Sequence, residues 1–423
     1  MTQPNELSRG PASTRLRKGT SPLVLSRSTE FIQRARRVTP GFTDSSLHQP
    51  AQCPGAFPAY VARAEGAEIV DVDGNRYVDF ICGLGANALG NRDPDMERAL
   101  LRTLADGVLH SLPSAFEVEI TEALVNVIPG AQMARFFRTG SDATSTAVQL
   151  AQAITGREPI LTAGYHNPGR APCAFDQSSV LEPLSRLTHE LPLLYDADEP
   201  TVLAAIEGCS AACIVLSVPH NRVLSSGFVW RVRNACTRSG TMMILDEAVT
   251  GFRLGLGGAQ EFFGVEADLV CLSKALAAGL PLAAIVGPRH YLTELSGLHS
   301  SDASSAELLS LAACGAALAV YRRRGYFKYI EELGSRLREG INAAAEAERA
   351  PLRVTGYDAM PFFAFHSAPE QHLLLMQRFQ SLMATRGVLL RCGLNFICHA
   401  HTRNQIEQTV EAARECLNVM NRD

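Results

Sequence analysis

Between about residues 90 and 290, short apolar runs alternate with helical stretches. The runs are Cys213–Val218, Thr241–Leu245, Leu269–Leu272 and Leu282–Val286. The helical stretches are Met96–Ala105, Val118–Val127, Asp142–Thr155 and Thr201–Glu207. A strand with one wet face alternates polar and apolar residues; these runs do not, so both of their faces are expected to be covered. Short buried strands separated by helices predict an α/β fold with a mostly parallel, doubly wound sheet and helices on both faces.

The remaining segments flank that unit. Residues 1–27 mix Pro, Gly, Ser and Thr with Arg9, Arg15, Arg17 and Lys18, which predicts a flexible arm. They contain no apolar segment of the kind a secretion signal carries. A short helix is expected near Ser28–Val38. Glu68–Asp73 leads into Asn75–Phe80 with Asp73-Gly74 at the turn, a hairpin signal. From about 305, helical stretches over Ala306–Arg324 and Lys328–Arg349 lead into a smaller α+β tail. There Thr402-Arg-Asn-Gln405 has the pattern of a capping box, opening a helix with Ile406, Val410, Ala413 and Leu417 on one face. The expected division is an arm (1–27), the N-terminal part of a small domain (28–90), a large domain (91–305), and a connecting helix with the rest of the small domain (306–423).

Composition excludes several function classes. The net charge of -4 gives no global attraction to nucleic acid or to a membrane surface. No run reaches the roughly 18 apolar residues of a membrane span. The 11 cysteines show no C-x-x-C spacing, so buried reduced thiols in a cytoplasmic protein are expected, and no disulfide scaffold, zinc ribbon or iron–sulfur centre.

Four local patterns carry chemistry, and each alone also has a plain structural reading. Asp246 and Glu247 end the apolar run from Met242, at the strand end where α/β sheets bind ligands; a single such carboxylate is often structural. Lys274, in Leu272-Ser-Lys-Ala-Leu-Ala-Ala-Gly-Leu-Pro281, sits so close to a core that its charge must be paired, shifted or removed; a snorkelling lysine would also do this. Gly140 and Ser141 precede Asp142 and a helical pattern, and so present N–H groups and a hydroxyl at a positive helix end, suited to a phosphate or simply to capping. Tyr165, in Gly164-Tyr-His166, follows an apolar stretch and can stack on a flat ring or fill a core. Together the four supply a Schiff-base lysine, an acidic partner for a pyridine nitrogen, a phosphate cradle and a ring cover, the set required by pyridoxal phosphate.

The sequence resembles the class III, fold-type I pyridoxal-phosphate aminotransferases, of the glutamate-1-semialdehyde aminomutase-like branch, over roughly residues 28–420. The stretches that carry the resemblance are Arg36-Arg-Val-Thr-Pro-Gly41, Val70–Asp79, Thr139-Gly-Ser-Asp-Ala143, Gly164-Tyr-His166, Leu245-Asp-Glu-Ala-Val-Thr-Gly-Phe-Arg253, Leu272–Pro281 and Glu307–Ala313. The most specific is the pairing of Asp-Glu…Thr-Gly-Phe-Arg with Ser-Lys, 28 residues separating Asp246 from Lys274. The resemblance implies that Lys274 is the Schiff-base lysine and proton shuttle and that Asp246 pairs with the pyridine nitrogen. It further implies that Gly140 and Ser141 hold the phosphate, that Tyr165 covers one ring face, and that Ala248 lies under the other in place of the larger valine common there. It also implies a homodimer whose partner chain contributes a phosphate contact. That contact is expected within Ser300–Ser305, where Ala303 stands at the threonine position and Ser304 or Ser301 substitutes.

Departures from the family bear on the substrate. Where the aminomutase carries a carboxylate-binding arginine, this chain has His48, which argues against glutamate-1-semialdehyde. Where many relatives carry a glutamate that switches partners with an arginine, it has Ser217, followed by His220 as a candidate contact to cofactor or substrate. Arg138 and Arg391 are candidate anion grips. Cys398-His399-Ala-His401 lacks identifiable further ligands, so no metal is expected. Gly83-Leu-Gly-Ala-Asn87 and Thr139-Gly-Ser-Asp142 resemble a sub-branch of polysaccharide and natural-product pathways. The expected function is transfer of an amino group between an amino acid donor and a ketone or aldehyde acceptor, both small molecules, in specialised biosynthesis. The alternatives are an aminomutase, racemase, epimerase, decarboxylase or elimination enzyme on the same scaffold, or a non-enzymatic pyridoxal-phosphate-binding regulator.

Overall fold

The computed structural model of the chain describes residues 23–43, 60–164, 187–297, 307–323 and 325–422. A buried carboxylate shapes the hairpin at Asp73-Gly74. Asp71 accepts hydrogen bonds from the Asp73 and Asn75 N–H groups, the Asn75 amide and the Tyr77 hydroxyl, all at 2.7–3.0 Å. They close the Asp73-Gly74 turn, with Gly74 at φ +87°, between strands β2 (Glu68–Asp71) and β3 (Arg76–Asp79). Strand β1 (Val61–Glu65) pairs antiparallel with β2. On the far side, β13 (Val388–Leu389) pairs parallel with β3, so segments near both ends of the chain share one sheet.

The first helix starts at Ser26, slightly earlier than expected. Its Arg27 and Ser28 N–H groups donate to the Asp73 carboxylate at 2.6 and 2.9 Å, and the Asn75 amide donates to the Val24 carbonyl. Residues 23–27, assigned from sequence to the flexible arm, are therefore held against the hairpin. The rest of that arm lies outside the described residues.

The large sheet has seven strands: β4 (Met133–Phe137), β5 (Ile160–Ala163), β6 (Thr188–Leu191), β7 (Cys213–Ser217), β8 (Met242–Glu247), β9 (Leu269–Leu272) and β10 (Ala283–Gly287), in the spatial order β4-β10-β9-β8-β7-β5-β6. All four expected apolar runs are strands. One expectation fails: β10 runs antiparallel to both β9 and β4, although its apolar run had been grouped with the parallel strands. The connection over residues 273–282 holds only a short 3-10 turn at Lys274–Ala277. A parallel crossover needs a dozen or more residues, so the chain can only turn back.

The absence of alternation is explained by two cores. Val215, Ile244, Cys271 and Ile285 pack with Ala143, Ala147 and Leu150 of the helix Gly140–Thr155. Their neighbours Leu216, Leu245, Leu272 and Val286 face the other way, into the main core with Phe228, Val232, Leu311 and Leu318 of the helices Ser226–Ser239 and Leu308–Arg323. A third, smaller sheet combines β11 (Leu352–Tyr357), β12 (Met360–Phe365) and β14 (Gly393–Leu394). The last helix, Arg403–Arg422, opens on the expected reciprocal cap: Gln405 N–H donates to Thr402 Oγ1 and Thr402 N–H to Gln405 Oε1.

Two features shape the carboxyl edge of the large sheet. Gly164, at the end of β5, has φ +92°, and a Cβ there would lie 1.7 Å from the Ser217 carbonyl oxygen. Only glycine lets the ends of β5 and β7 approach this closely. Glu247, the last residue of β8 and 1% exposed, accepts the N–H groups of Ala259 and Gln260 at 2.6 and 3.4 Å and the Thr250 hydroxyl at 3.3 Å. These bonds fold the loop after β8 back onto the strand. Burial pushes the Glu247 pKa up to about 7, against the opposing pull of its donors.

Gly164→Ala is expected to destabilise the protein by about 3 kcal/mol, combining left-handed strain with overpacking. Urea unfolding would measure this, and a cost under about 0.5 kcal/mol would contradict the close approach. Glu247 gives a pH signature. Its folded pKa lies above the usual 4.5, so the protonated form is favoured in the fold. The contribution is complete below about 4.5 and is lost as pH rises through about 7. Glu247→Gln should remove a decline of about 3 kcal/mol from the urea stability profile across that window. Identical profiles for both proteins would refute this.

Candidate active site

The pairing of β8 with β9 sets the geometry. Asp246 stands opposite Cys271, and Glu247 opposite Leu272, so Asp246 and Lys274 emerge at the same carboxyl edge. On the other side Asp246 pairs with Ser217 of β7. The Asp246 carboxylate accepts the Ala248 N–H at 3.1 Å.

Lys274 sits in the left-handed region, at φ +48°. A non-glycine residue there costs roughly 1 kcal/mol or more, a strain that surrounding structure must hold. The Tyr321 hydroxyl does so by donating to the Ala275 carbonyl at 2.6 Å, and Leu276 N–H donates to the Ser273 carbonyl at 3.0 Å. Burial lowers the Lys274 pKa; the Asp246 charge opposes this and the Arg253 charge adds to it. The balance shifts the amine toward its neutral, nucleophilic form.

The helix Gly140–Thr155 points its N-terminus at the same place. Thr139 Oγ1 accepts the Asp142 N–H at 3.2 Å and donates to the Asp142 carboxylate at 2.7 Å. With the cap formed on Asp142, the Gly140 and Ser141 N–H groups lie at the positive end of the helix. A Cβ on Gly140 would come within 3.3 Å of Ser273 Cβ and 3.4 Å of Ala248 Cβ. Lys274, Asp246, Ala248, Gly140 and Ser141 thus converge. An amine, a carboxylate and an anion-binding helix end in that arrangement match the carbonyl, ring nitrogen and phosphate of pyridoxal phosphate.

His220 joins them. It is 6% exposed, and its pKa is lowered to about 4 by burial and by the Lys274 charge, with Asp246 opposing. Its loop is clamped by β11. The Thr355 hydroxyl donates to the Asn221 carbonyl at 2.8 Å, Leu224 N–H donates to the Tyr357 hydroxyl at 3.2 Å, and a Cβ on Gly356 would meet the His220 carbonyl at 2.2 Å. Arg138 lies 3.8 Å from Glu307, whose carboxylate caps the helix Leu308–Arg323 through the Leu309 and Ser310 N–H groups. An anion held by Arg138 would have to compete with that carboxylate. Arg391 donates its N–H to Asn395 Oδ1 at 2.8 Å. Tyr165, His48, Ser301 and Ser304 lie outside the described residues.

Two residues at the site carried no role in the sequence analysis. Ser273 packs beside Gly140, and its hydroxyl donates to the Leu282 carbonyl at 3.1 Å. Arg253, 2% exposed, donates to the carbonyls of Ile397 at 3.0 Å and Gly85 at 2.7 Å and lies 4.7 Å from the Phe396 ring centre. It joins the sheet edge to segments from both ends of the chain. Its only sequence signal was a charge closing the Thr-Gly-Phe-Arg stretch.

Comparison with known proteins agrees with this geometry. Residues 51–187 and 211–417 match the family model for class III aminotransferases. Curated relatives include the glutamate-1-semialdehyde 2,1-aminomutases of Desulforapulum autotrophicum, 30% identical over 92% of this chain and 98% of that protein, and of Syntrophobacter fumaroxidans, 31% identical over 92% and 96%. Among solved structures, the pyridoxal-phosphate-bound FumI protein of Sphingopyxis sp. MTA144 superposes with a TM-score of 0.87 at 26% identity, covering 94% of this chain and 97% of that one. An omega-transaminase from Sphaerobacter thermophilus shares the fold, with a TM-score of 0.84 at 23% identity, covering 94% and 98%. The chain belongs to the class III aminotransferases, fold-type I enzymes that work with pyridoxal phosphate, and within them resembles the glutamate-1-semialdehyde aminomutase-like branch.

Proposed function

We propose that this enzyme transfers an amino group between an amino acid donor and a ketone or aldehyde acceptor in a specialised natural-product or polysaccharide pathway. The observation that carries the reading is the meeting of buried Lys274 with Asp246 beside the Gly140–Ser141 helix terminus. Pyridoxal phosphate, when bound, supplies a carbonyl that amino groups enter and leave, conjugated to a ring that draws electrons. Asp246 holds the proton on the ring nitrogen. Lys274 would hold the group through its amine, and that amine is placed to move a proton at the substrate carbon. Gly140 and Ser141 bind the phosphate, Ala248 and Tyr165 enclose the ring, and His48, Arg138 and His220 meet the substrate.

In this reading residues 91–305 form the cofactor-binding unit, and 28–90 with 306–423 the smaller one. The protein works in the cytoplasm as a homodimer, with Ser304 reaching the partner's phosphate. A row of exposed apolar side chains supports the dimer: Leu101, Leu104, Leu109, Leu112 and Val118 are each more than half exposed within one short stretch of chain. A second reading, an aminomutase on the same scaffold, is favoured by the names of the curated relatives. His48 in place of a carboxylate-gripping arginine supports transfer instead.

The visible absorption spectrum, recorded before and after adding a panel of amino donors, tests the reading. Transfer requires the lysine-linked cofactor band to bleach with one donor and a 2-oxo acid to be consumed in the return half-reaction. Persistence of the band with every donor would favour the mutase. Lys274→Ala should abolish the covalent link; a surviving lysine adduct would sink the assignment. Asp246→Asn should lower kcat by roughly 10²–10⁴-fold while leaving urea stability close to wild type. Near-normal turnover would refute its role.

A further inference from the structure

Cys82 and Cys398, far apart in the chain, meet on two segments that run side by side. Phe396 N–H donates to the Phe80 carbonyl at 2.7 Å and His399 N–H to the Ala88 carbonyl at 2.9 Å. Cys82 Sγ lies 3.6 Å from the Phe396 carbonyl oxygen. Arg253 bridges the same two segments through Gly85 and Ile397. Cys82 Sγ, Cys398 Sγ and a ring nitrogen of His401 all lie within 4.8 Å of one another, and none of the three residues is more than 2% exposed. His401 Nδ1 faces Cys398, at 3.2 Å from its Sγ and 3.0 Å from its backbone nitrogen, and the ring stacks on Phe80 with centroids 4.5 Å apart. Behind them Asp79 accepts the Ile81 and Cys82 N–H groups.

The charges follow this layout. The bond from the Cys82 thiol lowers the Cys398 pKa, burial opposes it, and His401 lowers it further. Burial works against a charged His401, but the Cys398 charge and then Asp79 raise its pKa. Cys82 is pushed up by its bond to Cys398 and by burial. One sulfur is thus poised as a nucleophile and the other remains a protonated thiol beside it.

The geometry points to a reversible disulfide between Cys82 and Cys398, formed when a peroxide oxidises the pair, with His401 carrying the protons. The Cys398 thiolate attacks a peroxide oxygen; the O–O bond breaks, and the leaving alkoxide or hydroxide takes a proton from the His401 imidazolium. Cys398 is then a sulfenic acid. Cys82 passes its proton to His401 and attacks the Cys398 sulfur. The S–S bond forms, the S–O bond breaks, and the departing hydroxide leaves as water with the His401 proton. Two thiols are oxidised, and the peroxide is reduced to an alcohol or water, plus water.

A metal ion fits less well. Among the described residues the cluster offers three donors, one short of a closed tetrahedral site. The Arg253 guanidinium, near enough to act on Cys82, repels a cation.

Hydrogen peroxide treatment of the full chain, followed by non-reducing peptide mapping, tests the proposal, and its outcome is independent of the amino-transfer reading. The expected product joins the Cys82 and Cys398 peptides, is reversed by dithiothreitol, and raises Tm by a few degrees. Cys82→Ser should stop Cys398 at a sulfenic acid that dimedone traps, and His401→Asn should slow linkage by roughly tenfold. Cys392→Ser, which removes an exposed thiol, should leave the link intact. Oxidation of Cys392 alone, with Cys82 and Cys398 unlinked, would overturn the proposal. So would a zinc ion that copurifies and shields both thiols.

Discussion

The parallel pairing of β8 with β9 is the interaction on which the site depends. Its register places Asp246, on β8, and Lys274, two residues past the end of β9, at one edge of the sheet, and both strands are buried on both faces. A slip of one residue would turn Leu245 and Leu272 out of the main core and Ile244 and Cys271 into it. The register is therefore enforced by two cores at once. The apolar packing that holds the sheet together also fixes where the carboxylate and the amine stand.

Buried charge then ties the edge to the rest of the chain. Glu247 folds the loop after β8 by accepting backbone N–H groups, and Arg253, at the end of that loop, donates to Gly85 and Ile397. An unpaired charge in either place would be costly, and both side chains engage backbone groups that need a partner in any case, Glu247 through its carboxylate and Arg253 through its two terminal nitrogens. The same Arg253 lowers the Lys274 pKa and flanks the Cys82–Cys398 pair. One guanidinium thus links the sheet edge, the N-terminal loop and the C-terminal loop. The left-handed backbone of Lys274 is sustained by a similar arrangement, with Tyr321 gripping the following turn.

Much of this was legible in the sequence. Asp246 and Lys274 could be read because each breaks an apolar run with a charge at a strand end, a placement that is expensive without a purpose. The Thr402–Gln405 cap and the Asp73-Gly74 hairpin could be read because their chemistry is local. The direction of β10 could not be read from its apolar run, since buried strands look alike in either orientation; the short connection from Lys274 decides it. The ion pair of Arg138 with Glu307 could not be read, because nothing in the sequence neighbourhood of Arg138 points to that partner. Cys82 drew no attention beside Cys398 and His401, because the two segments lie at opposite ends of the chain.

Sequence alone determined the fold class, the alternation of four central strands with helices, and the two charged residues, Asp246 and Lys274, set at strand ends. Those depend on the hydrophobic period and on charges set against it, and both are properties of neighbouring residues. Tertiary structure alone decided which distant groups meet: His220 under the β11 clamp, Gly140 against Ser273 and Ala248, Arg253 across two loops, and the paired thiols beside His401. These contacts arise from packing between elements far apart in the chain, and close packing, unlike periodicity, leaves no local trace.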